Sequence, residues 1–334
     1  MTTKKLLMAI WDYDRIQPLK DRTVVPDGID LETKNIWVQE IFYRMLTKKE
    51  FDVSELSLGA YVSSLFQEDP PFVAIPVFPS RMFRHNSIYI NTASGINSPE
   101  DIRGKRIGLP EYRQTAVVWI KGFLKENYGL EYEQMTYHTG PLERSGGKFF
   151  YNLSKTDITK LHKDIRVEPI PSGTTLSEML LKGDLDVLYS ALEPSTFKNF
   201  PDKVTRLFKD YKRMEIDYFR ETAIFPIMHT IVIRKELYEQ DKWIAKSLYD
   251  AFLEAKNSVI DDLIEASAAL KYSLPWMRDS LDETLSVMGR DYWPYGLSSN
   301  RNTLNKFVEY MYEQGVIPSV VDIKSLFAQE VLST

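Results

Sequence analysis

Short apolar runs alternate with helical patterns along most of the chain, and this alternation is typical of an α/β fold. Apolar residues between Trp37 and Leu46 recur at the spacing of one helix face, which predicts a helix there. Another helix is predicted to begin at Thr115 and to end near Gly129. The predicted strands cover residues 6–10, 29–33, 51–58, 72–78, 88–90, 106–109, 165–170, 185–192 and 228–233.

The middle of the chain is predicted to form a separate lobe. Two short strands, 88–90 and 228–233, bracket it, and the chain beyond residue 240 has mostly helical patterns. We therefore expect lobe I to comprise 1–90 and 230–334, with lobe II, residues 91–229, inserted between them. A ligand cleft between the lobes is expected. The polar, aperiodic segment 140–163 predicts a loop.

Composition restricts the classes of function. The chain has 334 residues, a net charge of −5 and no cysteine, which excludes thiol catalysis, disulfides and cysteine metal sites. The negative charge argues against nucleic acid as a partner. No apolar stretch is long enough for a membrane span, and the run after Lys5 is too short for a signal peptide. We expect a cytoplasmic protein without a membrane partner, and a homo-oligomer is compatible with the sequence.

Two arginines, a histidine and a phenylalanine follow the strand 72–78 within five residues. Arg81 and Arg84 can each grip a carboxylate through a planar two-pronged fork. Phe83 can pack on a flat ring, and His85 can move a proton near neutral pH. This pattern predicts a pocket for an aromatic carboxylate. The alternative is a solvated basic loop paired with surface acids.

Two motifs resemble a known superfamily. The segment 97–108 is similar to the segment that opens the second lobe of type II periplasmic-binding-protein folds, and 181–187 is similar to their helix–glycine–strand element. The resemblance implies an α/β, two-lobe, type II periplasmic-binding-protein-like fold. It has an interlobe cleft and a helical C-terminal part.

Narrower motifs resemble the 4,5-dihydroxyphthalate decarboxylase family, across nearly the whole chain. That resemblance implies a carboxy-lyase that releases CO2 from an aromatic dicarboxylate to give protocatechuate, in phthalate degradation. The motifs are Tyr13-Asp14-Arg15, Phe51-Asp52-Val53-Ser54-Glu55-Leu56-Ser57, Ile75-Pro76-Val77-Phe78-Pro79-Ser80-Arg81-Met82-Phe83-Arg84-His85, Pro110-Glu111-Tyr112 with Thr115-Ala116, Phe225-Pro226-Ile227-Met228-His229-Thr230, and Trp293-Pro294-Tyr295-Gly296.

Several candidate substrate-binding residues follow predicted strands, where ligands bind in open α/β folds. With the family resemblance, Arg81 and Arg84 are expected to clamp carboxylates. Other interpretations stay open: an ion pair between Asp14 and Arg15, and a helix cap at Thr115. The other candidates are Ser57, Phe83, Glu111, Tyr112 and Trp293, the last of which could instead pack in the core.

Ring protonation followed by CO2 loss needs an acid and in principle no cofactor, because the ring hydroxyls supply electron density. We expect His229 or His85 to be the catalytic proton donor. His229 is preferred, since its apolar neighbours should keep it dry; a buried structural histidine is the alternative. The histidines show no metal-binding spacing, although a metal held by His85, His229 and carboxylates stays open. A non-catalytic solute-binding protein for an aromatic carboxylate is the rival function.

Overall fold

The computed structural model of the protein describes residues 3–143, 161, 163–265 and 271–334. The chain divides into two compact units, each built around one mixed sheet. The first unit comprises Met1–Arg81, Phe219–Leu304 and Val321–Thr334, and the second comprises Met82–Tyr218 and Asn305–Val320.

Parallel and antiparallel strands share the sheet of the first unit. Its strands, in sheet order, are β2 (Ile29–Asn35), β1 (Lys4–Ile10), β3 (Val53–Ser57), β11 (Ile227–Arg234) and β4 (Phe72–Arg81). The first three are parallel, while β11 runs antiparallel to both of its neighbours. Strands β1, β3 and β4 are buried along most of their length, which explains the nearly continuous apolar runs of β1 and β4. Strand β3 also buries the polar residues Ser54 and Glu55.

The sheet of the second unit also mixes both strand directions. Its strands, in sheet order, are β10 (Val204–Arg206), β5 (Ile88–Asn91), β9 (Val187–Tyr189), β6 (Arg106–Leu109), β7 (Thr136–Thr139) and β8 (Val167–Pro169). Strand β5 is antiparallel to β9 and β10, and the others pair in parallel. Leu176, Leu180, Leu185 and Leu188 form part of a buried cluster against this sheet.

Helices cover both sheets. In chain order they are α1 (Gln17–Lys20), α2 (Val38–Lys48), α3 (Leu58–Ser64), α4 (Thr115–Tyr128), α5 (Leu176–Lys182), α6 (Ser195–Asn199), α7 (Tyr211–Thr222), α8 (Lys235–Gln240), α9 (Trp243–Glu265), α10 (Met277–Met288) and α11 (Arg301–Glu313). Helix α4 ends at Gly129, which is left-handed at φ 64°, as the sequence predicts.

Gly122 of α4 allows a close approach that no larger residue would permit. A Cβ atom there would lie 2.1 Å from Cδ2 of Tyr310. Helices α4 and α11 therefore pack closely at this point, and Trp119 contacts Phe307 and Tyr310 beside it.

The predicted lobe ranges differ from the two units at 82–90, 219–229 and 305–320. Strand pairing and helix packing account for these differences in range. Strand β5 forms its hydrogen bonds in the second sheet, whereas β11 forms its hydrogen bonds in the first. The α4–α11 contacts join 305–320 to the second unit. Most of the predicted loop 140–163 lies outside the described residues.

Candidate functional site

The carboxyl ends of the parallel strands β2, β1 and β3 lie at one edge of the first sheet. The register pairs Ile10 with Asn35, and Ala9 with Ser54. Residues that follow Ile10 and Asn35 therefore lie at the same edge as Glu55. Ligands in open α/β sheets bind beyond this edge, so the side chains there are the first candidates for chemistry.

Glu55 is a buried carboxylate with three hydrogen-bond donors. Its side chain has no exposed surface. The Tyr13 hydroxyl donates to Oε1 over 2.6 Å, and the main-chain N–H of Trp11 donates to Oε2 over 3.1 Å. Nδ1 of His229 lies 2.6 Å from Oε1. Donors at both oxygens stabilise the charged form of a buried carboxylate, which would otherwise be costly to desolvate.

His229 lies on β11 beside Glu55, and its side chain is 16% exposed. Phe42 packs edge-on against the imidazole, with ring centres 4.9 Å apart. Since a carboxylate only accepts hydrogen bonds, Nδ1 of His229 carries the proton that it shares with Glu55. Among the described residues, Nε2 has no hydrogen-bond partner. It is the nitrogen that can exchange a proton with a ligand.

Tyr13 supports Glu55 as a permanent donor. Burial, followed by the charge of Glu55, raises the pKa of the Tyr13 hydroxyl above its ordinary value. The phenol therefore stays protonated at physiological pH and continues to donate to the carboxylate. Its ring also packs edge-on against Trp11, with centres 5.4 Å apart.

Arg15 is a fixed cation beside this group. Its guanidinium carbon lies 4.3 Å from the Tyr13 ring centre and 4.1 Å from that of Trp293. Nε donates to the carbonyl of Pro79 over 2.8 Å, and Nη1 pairs with Asp14 over 2.9 Å. Trp293 is itself held by a 2.9 Å bond from its indole N–H to the carbonyl of Phe78. The stacked arrangement keeps the charge of Arg15 at a defined position.

Arg81 is committed to contacts within the first unit. Nη1 donates to the carbonyl of Phe225 over 2.9 Å, and Nη2 donates to the carbonyl of Pro294 over 2.7 Å and to Asn300 Oδ1. Burial lowers the pKa of Arg81 to about 9. Arg81 also lines a cavity of about 310 Å³ with Tyr292. Both terminal nitrogens of Arg81 thus already donate to oxygen atoms of the protein. The predicted carboxylate clamp at Arg81 stays a prediction.

Arg81→Ala is expected to lower the free energy of unfolding by roughly 2–5 kcal/mol, because three buried acceptors would lose their donor. Urea unfolding monitored by circular dichroism measures this change. Arg103→Ala, at an exposed arginine, is the control. Unchanged stability together with weaker phthalate binding would instead support the clamp.

Six of the predicted site residues belong to the second unit, and there they have local partners: Phe83, Arg84, His85, Glu111, Tyr112 and Thr115. Arg84 is buried, and desolvation lowers its pKa to about 10, with Glu215 as the opposing charge. Burial raises the pKa of Glu215 to about 7. Phe83 is half-buried. A contact of these six residues with substrate stays a prediction.

His85 lies in an aromatic cluster. It stacks on Phe123 with ring centres 4.3 Å apart, and it packs edge-on against Phe208 and Tyr218. Burial lowers its pKa to about 4. At neutral pH the ring is therefore uncharged, which favours His229 over His85 as a proton donor.

The pKa of His85 predicts acid destabilisation. Between pH 6.5 and about 4 the unfolded chain binds a proton that the folded chain does not bind, so stability rises as pH rises through this window. His85→Phe keeps the stack and removes this titration. We expect the change in unfolding free energy between pH 4.5 and 7.5 to shrink by roughly 2 kcal/mol. Equal pH dependence in both proteins, measured by urea unfolding, would contradict this.

The segment from Glu111 to Thr115 leads into α4. Glu111 pairs with Arg113 over 3.6 Å, and burial raises its pKa. The Tyr112 hydroxyl donates to the carbonyl of Gln314 over 3.2 Å, and Lys121 Nζ lies 3.0 Å from the centre of its ring. Thr115 is the first residue of α4, and the cap position belongs to Gln114, so the alternative of a Thr115 cap is wrong.

Ser57 caps a helix at the end of β3. Its Oγ accepts from the N–H of Ala60 over 3.4 Å, and its main chain pairs with His229. Of the predicted site residues, the structure thus gathers Asp14, Arg15, Ser57, His229 and Trp293 on the elements around Glu55.

Glu55 and Tyr13 are not among the residues predicted from the sequence, although both lie in motifs that carry the family resemblance. A signal for Glu55 was present: it is the only charged residue in a strand whose neighbours are small or apolar. A charge in such a strand has to find a partner, and that partner is distant in sequence. Tyr13 follows the strand that pairs with β3, but its own type gives no such signal.

Two further observations concern ions and membranes. No group of three or more His, Cys, Asp or Glu side chains within the described ranges could hold a metal ion. Nor does the described part of the chain contain a helix long and apolar enough to cross a membrane. The predicted cytoplasmic location stays a prediction.

The fold is shared with solute-binding proteins. The periplasmic sulfonate-binding protein SsuA from Methylobacillus flagellatus aligns with a TM-score of 0.56 and 14% identity, over 98% of this chain and 92% of that one. The aliphatic sulfonate-binding protein SsuA from Escherichia coli aligns with a TM-score of 0.51 and 12% identity, over 99% of both chains. The predicted two-unit α/β periplasmic-binding-protein fold is confirmed.

Sequence comparison identifies the family. No protein-family model matches the chain. A 4,5-dihydroxyphthalate decarboxylase of Pseudomonas putida is 40% identical over 220 residues, which cover 66% of this chain and 83% of the relative. One of Comamonas testosteroni is 35% identical over 316 residues, which cover 95% of this chain and 94% of the relative. The chain therefore belongs to the 4,5-dihydroxyphthalate decarboxylase family of carboxy-lyases.

Proposed function

We propose that the protein decarboxylates a hydroxylated aromatic dicarboxylate, with 4,5-dihydroxyphthalate as substrate and protocatechuate as product. The observation that carries this proposal is the pair of Glu55 and His229, in which Nε2 has no partner among the described residues. A protonated imidazole that is oriented by a buried carboxylate can serve as a general acid. Membership of the decarboxylase family supports the choice of substrate.

The proposed reaction transfers one proton and breaks one carbon–carbon bond. Electron density from the ring hydroxyls makes the carbon that bears the departing carboxylate basic. His229 gives its Nε2 proton to that carbon. The bond to the carboxylate then breaks, its electron pair returns to the ring, and CO2 leaves. His229 is left neutral and regains a proton from water. Glu55 stabilises the charged imidazolium before the transfer and keeps the ring oriented.

Arg15 is proposed to hold the carboxylate that stays on the ring. A cation that gripped the departing carboxylate would stabilise the ground state and oppose CO2 loss. Arg15 stacks on Tyr13, and Tyr13 bonds to Glu55, so its charge is tied to the same group of side chains. Arg15 also donates through both terminal nitrogens, Nη1 to Asp14 and Nη2 to the carbonyl of Pro79, but its side chain is 14% exposed. Arg81 is buried and donates to three acceptors, so it is the weaker candidate.

A solute-binding protein for an aromatic acid is the second candidate. The fold supports it, since the solved structures with this fold include sulfonate-binding proteins. A binding protein needs a cation and aromatic surfaces but has no need of a proton donor beside a buried carboxylate. The Glu55–His229 pair therefore favours the enzyme.

The deciding experiment compares two diacids that differ only in their hydroxyl groups. The protein is incubated with 4,5-dihydroxyphthalate or phthalate, with and without a chelator, while CO2 and the monocarboxylate are measured. We expect CO2 only from the hydroxylated acid, because phthalate lacks the electron density that makes the ring carbon basic. Binding of both acids without CO2 release under any metal condition would support the binding protein.

A further inference from the structure

Two tryptophans lie exposed beside the Glu55–His229 pair. Trp11 directly follows β1 and is 36% exposed, and Trp37 directly precedes α2 and is 43% exposed. Their rings meet edge to face, with centres 5.1 Å apart at 84°. The main-chain N–H of Trp11 donates to Glu55 over 3.1 Å, so this aromatic pair is joined directly to the proposed site.

The fold does not explain the identity of either residue. Trp37 occupies the cap position of α2 but makes no side-chain cap bond, whereas Ser, Thr, Asp or Asn would stabilise the helix there. Only the backbone of Trp11 is used by Glu55. Leaving two indoles partly in water forgoes about 25 cal/mol for each Å² of apolar surface that stays exposed. Such surfaces are often binding sites.

Exposure alone does not mark a site, as Trp276 illustrates. Trp276 is 72% exposed, but no contact with another aromatic ring or with the Glu55 group is found for it in the described chain. The Trp11–Trp37 pair differs because its rings are ordered against each other and because Trp11 also packs against Tyr13, the donor to Glu55. Trp37, Trp11 and Tyr13 thus form a series of aromatic contacts between the solvent-exposed surface and Glu55, which is the partner of His229.

We propose that Trp11 and Trp37 receive the substrate ring and select planar aromatic diacids over saturated diacids of the same charge. This inference rests on the proposed function and names the residues that recognise the ring. A flat ring can stack on or meet an indole edge to face. A saturated ring has out-of-plane hydrogens that prevent close stacking. Arg15 would grip a carboxylate of either diacid, so charge cannot provide this selection.

Calorimetry tests the inference with phthalate and cis-cyclohexane-1,2-dicarboxylate as probes, neither of which needs to react. The wild-type protein is expected to bind phthalate roughly tenfold more tightly than the saturated diacid. Trp37→Leu and Trp11→Leu should each weaken phthalate binding about 5- to 10-fold and leave the saturated diacid unchanged. Trp37→Phe should recover part of the loss. Trp276→Leu is the matched control and should bind as the wild type does.

Tryptophan fluorescence gives a second readout, since phthalate should quench the wild type and Trp276→Leu more than Trp37→Leu. Phthalate affinity in both Trp11→Leu and Trp37→Leu equal to that of Trp276→Leu would overturn the inference. Equal binding of both diacids by the wild type, or binding of neither, would overturn it as well. If the expected affinity differences appear but 4,5-dihydroxyphthalate yields no CO2, ring recognition stands and the proposed decarboxylation fails.

Discussion

His229→Gln is expected to lower the rate of 4,5-dihydroxyphthalate decarboxylation about 10²–10⁴-fold, the usual contribution of a general acid. Glutamine can still form a hydrogen bond with Glu55, but it carries no proton that it can give up at physiological pH. Ligand binding should change little, because Arg15 and the aromatic rings remain in place. The measurement is turnover from protocatechuate formation, alongside the phthalate Kd from calorimetry.

His85→Gln is the matched control, since His85 is the other predicted donor and lies in the second unit. Its turnover at pH 7.5 should stay within about threefold of the wild type if the variant retains its fold, because the His85 ring is already neutral at that pH. Unimpaired turnover in His229→Gln would show that the proton donor is another residue. A loss of turnover in His85→Gln with unchanged stability would restore the alternative donor.

The positions of the strands in the first sheet could be predicted from local pattern. Strands β1 and β4 are buried along most of their length, so each appears in the sequence as a nearly continuous apolar run of strand length. Strand β7 was missed because it is short and mostly polar; its pairing with β6 and β8 provides its order. Helix α7 was missed for a similar reason, since Tyr218 is its only fully buried residue.

The site was less predictable because its geometry depends on long-range pairing. Glu55 and His229 are 174 positions apart and meet because β3 and β11 are neighbours in the sheet. No local pattern contains that pairing. Arg81 lies in the most distinctive motif of the chain, and its guanidinium donates to carbonyl and amide oxygens that no local pattern indicates. Residue type predicts what a side chain can bind, and the fold decides what it contacts.

The second large effect is expected at Glu55. Glu55→Gln replaces the charged acceptor of His229 Nδ1 with a neutral amide of nearly the same shape. The imidazolium loses its counter-charge, and an amide nitrogen turned toward Nδ1 would favour the neutral tautomer with its proton on Nε2. That tautomer is a far weaker acid than imidazolium. Turnover should therefore fall roughly 10²–10⁴-fold, although Glu55 itself need not touch the substrate.

A double-variant cycle separates this effect from a general loss of structure. If Glu55 acts through His229, the double variant Glu55→Gln, His229→Gln should be no slower than His229→Gln alone, because the acid is already absent. Tyr13→Phe removes only one of the donors to Glu55 and should lower turnover less than tenfold, as expected for one hydrogen bond of about 1 kcal/mol. Unfolding free energies are measured in parallel. Two outcomes would show that Glu55 supports the fold and does not position the proton donor. One is a rate loss in the double variant equal to the product of the two single-variant losses, and the other is a rate loss that parallels the loss of unfolding free energy.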